Sequence, residues 1–168
     1  MMRILLLAAA TALMIPVASA APPNDADRVA LTRLAADLDA VWDSGDPAAV
    51  SALYTVDGSL RMDDRLIVQG RDAVLAYFVE TIGRRPDGAR HVTRVENIDM
   101  LTPDLALVDT QVSIERDGAQ GREVLVQFHN QTVSSRQTDG WRFRVVRAQR
   151  MAVPRPASAS RQQQGEGR

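Results

Sequence analysis

The chain contains no cysteine and no lysine. The first absence removes thiol nucleophiles, disulfide frameworks and thiolate zinc sites together. The second removes Schiff-base chemistry and any phosphate loop built on a lysine, because all 20 basic residues are arginine. Histidine is scarce too: two residues without a convergent third ligand argue against a metal centre, and no cofactor is expected. The formal net charge of -1 lacks the basic excess of a nucleic-acid binder. What is present, 168 residues of which 45% are hydrophobic, suits one globular domain. A chain of this size buries roughly 70% of its unfolded surface and needs no disulfide or structural metal.

The first 20 residues read as a secretory signal. Arg3 gives a short basic start, Ile4 to Val17 an apolar run, and Ala18-Ser19-Ala20 the small residues a signal peptidase takes, so cleavage is expected before Ala21. The apolar run is shorter than the roughly 20 residues of a membrane-spanning helix, and no second run follows, which points to a periplasmic or secreted protein with no integral membrane segment after cleavage. Pro154 to Arg168, PRPASASRQQQGEGR, has no apolar period and reads as a disordered tail. The domain is therefore expected over residues 21–153.

Within it the hydrophobic period changes once. Leu31, Leu34, Leu38, Val41 and Trp42 fall at helical spacing over Asp27 to Ser44, with Asn24 or Asp25 to cap the start and Gly45 to close the end. Asp46-Pro47 opens a short second helix through Tyr54. Short strands are expected at Ser59–Met62 and Leu66–Gln69, then a third helix from Gly70 to Ile82 burying Val74, Leu75, Phe78 and Ile82. Everything after Ala89 reads as strand: Arg90–Leu101, Leu105–Arg116, Arg122–Ser135 and Trp141–Val153. Strands this long coil, so the expected fold class is α+β, a curved antiparallel sheet wrapped round three N-terminal helices as a cone.

Several segments then carry a family likeness: Trp42-Asp43-Ser44-Gly45-Asp46, Leu53-Tyr54 with Asp57-Gly58, Gly70-Arg71-Asp72-Ala73, Arg90-His91-Val92, Asp104-Leu105-Ala106 and Gly140-Trp141-Arg142-Phe143. In order and spacing this resembles SnoaL-like and SgcJ/EcaC-type proteins of the nuclear-transport-factor-two-like, or cystatin-like, superfamily, over nearly all of Asp25 to Met151. The resemblance implies the cone fold and, for many members, a homodimer through the open sheet face. Its members include ketosteroid isomerases, polyketide cyclases, dehydratases and epoxide hydrolases, so it leaves the chemistry open. The general-base aspartate of the isomerases would fall on Met62, with Asp63 one residue on. Their oxyanion-hole acid would fall near Gln131, with Asn130 beside it, so neither half of that pair is in place.

Strand alternation places the pocket. Ala106, Val108, Val112 and Ile114 set the inward face of the second long strand and include Thr110; Val124, Val126 and Phe128 set that of the third and include Asn130 and Thr132. Trp141, Phe143 and Val145 share a face on the last. Trp42, Tyr54, Met62, Phe78, Phe128 and Phe143 then supply apolar walls around a floor of Thr110, Asn130 and Thr132.

Three residues are candidates for chemistry. His91, at a position where the resembling family often has histidine, can act as acid or base, against the plainer reading of a histidine held by a backbone carbonyl. Asp63 with Asp64 can form a base pair or, more simply, a solvated turn. Asn130 can donate to a developing oxyanion. Asp37, Asp39, Asp43 and Asp46 are expected mostly on the solvent face of the first helix, and Arg142, Arg144, Arg147 and Arg150 as a basic stripe, a surface or dimer feature answering them. The uncharged floor favours a protein that binds a small apolar molecule; the alternative is a cofactor-independent isomerase, cyclase or lyase acting on an enolisable carbonyl substrate. No G-x-G-x-x-G fingerprint supports a dinucleotide enzyme.

Overall fold

The computed structural model describes residues 21–65 and 67–153. The expected signal segment, the tail and Leu66 at the start of an expected strand lie outside the described residues. The chain forms α1 (Asp25–Ser44), α2 (Pro47–Ala52), β1 (Tyr54–Met62), β2 (Val68–Gln69), α3 (Arg71–Gly83), β3 (Arg90–Thr102), β4 (Leu105–Gly118), β5 (Gly121–Gln137) and β6 (Gly140–Met151). One six-stranded sheet runs in the order β2-β1-β6-β5-β4-β3. None of the described helices is long and apolar enough to cross a membrane.

Local chemistry explains the helix ends. Asn24 accepts the Asp27 N–H at 2.9 Å and Gly45 closes α1 in the left-handed region at φ 77°. Asp46 caps α2 through the N–H groups of Ala48 and Ala49, with Pro47 in the first turn, where its missing donor costs nothing.

The sheet departs from the sequence expectation in two ways. It is mixed rather than wholly antiparallel, because β1 lies parallel to β6, with Ser59 opposite Val145 and Met62 opposite Ala148. The strand expected at Ser59 also starts earlier, at Tyr54, whose partner is Phe143. Between Tyr54 and Ser59 the register shifts, and a Cβ on Gly58 would stand only 2.9 Å from the Thr55 carbonyl oxygen. Glycine is what lets the extra residues of β1 bulge out there while the strand keeps its direction along β6. A second irregularity between Val133 and Ser134 alters β6: Phe143 faces the core but Val146 and Ala148 follow it inward, so Val145 leaves the face on which alternation placed it.

The core gathers Leu31, Leu34 and Trp42 of α1, Val50, Tyr54, Leu60, Val74 and the inward residues of the long strands. At its rim Asp27, 6% exposed, ties α1 to the far strands. Its carboxylate accepts from Arg136 at 2.6 Å, Asn24 at 3.0 Å and the Trp141 indole at 3.4 Å, while Arg136 stacks on the Trp141 ring. Replacing Asp27 with alanine removes a charged acceptor from three donors and should cost about 2–3 kcal/mol. For a chain of this size that is a fall of about 5–10 °C in Tm, measurable by calorimetry. A loss below 1 kcal/mol would mean the cluster is incidental to stability.

Candidate functional site

The helices close one side of the curved sheet and leave a cavity of about 190 Å³ between α1, α3 and the concave strands. It is somewhat larger than the ~150 Å³ apolar cavity known to admit benzene, so a ligand of ring size fits. Trp42, Tyr54, Met62, Phe78, Thr110, Phe128, Thr132 and Phe143 all line it, as do His91 and Asn130. Asp63 does not line it. One residue past inward-facing Met62, it sits in a turn at φ 53°, accepts the Arg150 N–H at 2.7 Å and lies 3.9 Å from the Arg150 guanidinium. The one-residue step across the strand carries its carboxylate away from the cavity.

His91 is held by a carboxylate rather than a carbonyl. Asp39 and Asp43 sit one turn apart on α1 and both reach the edge of β3, so they are not the solvent-facing acids their sequence pattern suggested. Asp43 accepts the His91 backbone N–H at 2.7 Å, and Asp39 accepts the Thr93 N–H at 2.9 Å and the Thr93 hydroxyl at 2.6 Å. The remaining contact of Asp39 is the His91 ring, Nδ1 to Oδ1 at 2.6 Å. An ionised carboxylate can only accept, so the Nδ1 proton belongs to the imidazole and Nε2 of the neutral ring carries the free lone pair. Trp42 packs on the ring at 5.6 Å between centroids, and Arg85 lies over Trp42 while donating to its backbone carbonyl.

Strand register orders the inward side chains into rungs. His91 pairs with Ile114 and Val126; Thr93 with Val112 and Phe128; Val95 with Thr110, Asn130 and Ala148; then Val108, Thr132 and Val146; and last Ala106, Ser134, Phe143 and Tyr54. His91 and Asn130 therefore approach the cavity from different rungs and from strands two apart. Asn130 Oδ1 is buried with no partner among the described residues. A buried polar atom left unpaired is uncommon in a native fold and points to a ligand or water as its missing partner. Tyr54, almost wholly buried, adds a phenol: burial, helped by nearby Tyr77, pushes it well above its ordinary ionisation range, so it stays protonated. Asp39, Thr93, Tyr77, Thr81 and Ser134 belong to the site and escaped the sequence reading. The Asp39–Asp43 spacing beside Trp42 was the one available signal for the dyad.

One other expectation needs revising. The arginines of β6 answer local acids instead of α1: Arg142 pairs with Asp139 at 2.7 Å, Arg144 with Asp57 at 3.5 Å and Arg150 with Asp63. His129 lies near Glu96, at 3.9 Å, and is not among the lining residues. Among the described residues no group of three or more histidines and carboxylates is placed to hold a metal.

Tyr54 makes a testable contribution to stability. Its proton is retained in the fold and released on unfolding above pH about 10, so unfolding releases a proton and stability falls as pH rises past that point. The fall should be about 1.4 kcal/mol per pH unit for this one group, and Tyr54→Phe should remove it from the chemical-denaturation profile between pH 10 and 11.5. An unchanged profile would show that Tyr54 is not the buried neutral phenol described.

Comparison with known proteins agrees with this geometry. A SnoaL-like domain model matches residues 25–147. Comparison with curated proteins finds no match. Among solved structures, a domain of unknown function with a cystatin-like fold from Nostoc punctiforme superposes with TM-score 0.68 at 16% identity, covering 84% of this chain and 94% of that one. An NTF2-like protein with a cystatin-like fold from Novosphingobium aromaticivorans gives 0.63 at 21% identity, covering 80% and 88%. A protein from Catenulispora acidiphila in complex with S-DNPA gives 0.63 at 17% identity, covering 76% and 95%. With a family model matched over most of its length on this cone, the chain belongs to the SnoaL-like domain family.

Proposed function

We propose that the domain is a cofactor-independent proton-transfer enzyme, an isomerase, cyclase or lyase acting on a small, largely apolar substrate with an enolisable carbonyl. The observation that carries this is the 2.6 Å contact between His91 Nδ1 and Asp39 in the wall of an otherwise apolar cavity. A histidine serving only to fill space has no use for a carboxylate that fixes its tautomer. In the reaction, Nε2 takes a proton from the carbon next to the carbonyl, Asp39 stabilises the imidazolium, and the Asn130 amide donates to the enolate oxygen. The proton then returns from Nε2 to another carbon in an isomerisation, or to a departing hydroxyl in an elimination.

A binding role without turnover is the second reading, favoured by how few polar groups face the cavity. That the Catenulispora acidiphila protein of similar fold was obtained in complex with S-DNPA is compatible with either reading. Proton-transfer activity is read as deuterium uptake at the α-carbon of 2-tetralone, followed by NMR. His91→Gln should slow enzymatic exchange by about 10²- to 10⁴-fold, and Asn130→Leu by about a hundredfold, with tetralone affinity nearly unchanged. Binding without exchange in the parent protein would leave the binding role.

The outer sheet face supports a homodimer. Leu107, Val133 and Val145 form one outward row, and Asp109, Gln131 and Arg147 the next. Leu105 flanks the first row on β4, whereas Leu125 is the extra residue of a bulge and packs towards the core. Asp109 Oδ1 is buried without a partner, and Arg147 donates only to Ser59 and the Val146 carbonyl among the described residues. A twofold axis along β5 lays Asp109 of one copy over Arg147 of the other and stacks the apolar rows. Sedimentation equilibrium at tens of micromolar should give a dimer, and Val133→Asp a monomer that retains its circular dichroism. A monomeric parent protein would refute the arrangement. Export, with a mature chain starting at Ala21, is part of the same proposal; it rests on the sequence pattern of the first 20 residues.

A further inference from the structure

Beside the cavity lies a second recess of about 330 Å³, bounded by β1, β2 and α3. Leu60, Met62, Tyr77 and Thr81 line both spaces, so these four side chains form the partition between them. Met62 is unbranched with soft torsions, and Tyr77 is only half-buried; a partition of this kind yields to a ligand far more readily than a packed core wall. The outer recess adds Val68 to its apolar surface and two charged groups, Arg65 and Glu80.

Those charges are not equivalent. The Glu80 carboxylate is 3.0 Å from Arg84 and its charge is answered there. Arg65 has no carboxylate within ion-pair reach among the described residues; its neighbour Asp63 is engaged by Arg150, and exposed Asp64 lines neither space. Arg65 is thus the one unanswered charge on the recess wall among the described residues. Met62 and Leu60 stand between it and the cavity that His91 also lines.

We propose that the recess is the outer half of the same site, and that the substrate is an amphiphilic carboxylate: an apolar body seated in the cavity and an anionic head held at Arg65. This deepens the reading of the cavity as a substrate site and rests on it. A ligand of that shape would use both spaces at once, its body in the cavity of ring size and its head in the recess beyond the shared side chains. It also assigns Arg65 and Met62 as specificity-determining residues, one for the head and the other for the span.

The test uses the full domain and three matched probes, 2-naphthylacetate, 2-naphthylacetamide and 2-naphthylmethylamine, titrated calorimetrically at low ionic strength. The acetate should bind about two- to fivefold more tightly than the amide, as suits one exposed ion pair, and the amine more weakly than either. The preference should shrink towards unity in about 0.5 M salt, vanish in Arg65→Gln and invert in Arg65→Glu. Met62→Trp, which fills the partition, should weaken all three. His91→Gln should leave the order unchanged, so a carboxylate preference in a protein without exchange activity would sustain this inference while sinking the proton-transfer reading. Equal affinity for the three probes, a preference unmoved by Arg65→Gln, or no binding at all would overturn it.

Discussion

Two carboxylates on one helix, seated on the edge of one strand, set the arrangement on which the site depends. β3 is the last strand of the sheet, and its outward N–H groups at His91 and Thr93 would otherwise face solvent as an open template for pairing. Asp43 and Asp39 take both. The same pair of contacts fixes the height of α1 on the sheet, and that height places Leu31, Ala35, Leu38 and Trp42 over the cavity. Structural and chemical demands converge on Asp39, which holds backbone, hydroxyl and imidazole together. Loss of its charge would therefore disturb strand, helix and imidazole at once, and a variant at this position reports on all three.

The site owes its character as much to what surrounds the dyad as to the dyad itself. Cavity walls rich in Leu, Val, Phe and Met lower the local polarity, which strengthens any hydrogen bond made inside. A core built around such a space forgoes the packing contacts that side chains would make there. The fold offsets this at its rim, where Asp27, Arg136 and Trp141 clamp the start of α1 to the ends of β5 and β6. That clamp lies apart from the dyad, and one buried polar atom of the cavity wall, Asn130 Oδ1, is left without a partner among the described residues.

Much of this was legible in sequence because it is periodic. Helical spacing from Leu31 to Trp42 and alternation along Val108, Thr110 and Val112 placed α1 and the inward face of β4, and alternation on β5 put Asn130 beside Thr132 on the lined side. What escaped was either irregular or distant. The shift between Val133 and Ser134 broke the alternation on β6 and moved Val145 outward, a bulge at Gly58 carried β1 back to Tyr54, and the long connection between β1 and β6 left the two strands parallel. No local pattern announces either. Asp39 and His91 are 52 residues apart, and only the docking of helix on sheet brings them into contact. Asp63 illustrates the converse: a residue of the right chemistry, one position from the right place.

The walls of the cavity are not equally firm. α1 is capped at its start by Asn24 and pinned along its length by Asp27, Asp39 and Asp43, whereas α3 begins at Gly70 without a side-chain cap and buries only Val74 and Ile82. Yet α3 carries Tyr77, Phe78 and Thr81, the part of the lining next to the outer recess. Of the two helices that line the cavity, α3 is the less anchored and so the one expected to open first. On the proposed reading, residence time inside the cone would follow how often α3 lifts from the sheet, as well as how tightly the floor holds what lies on it.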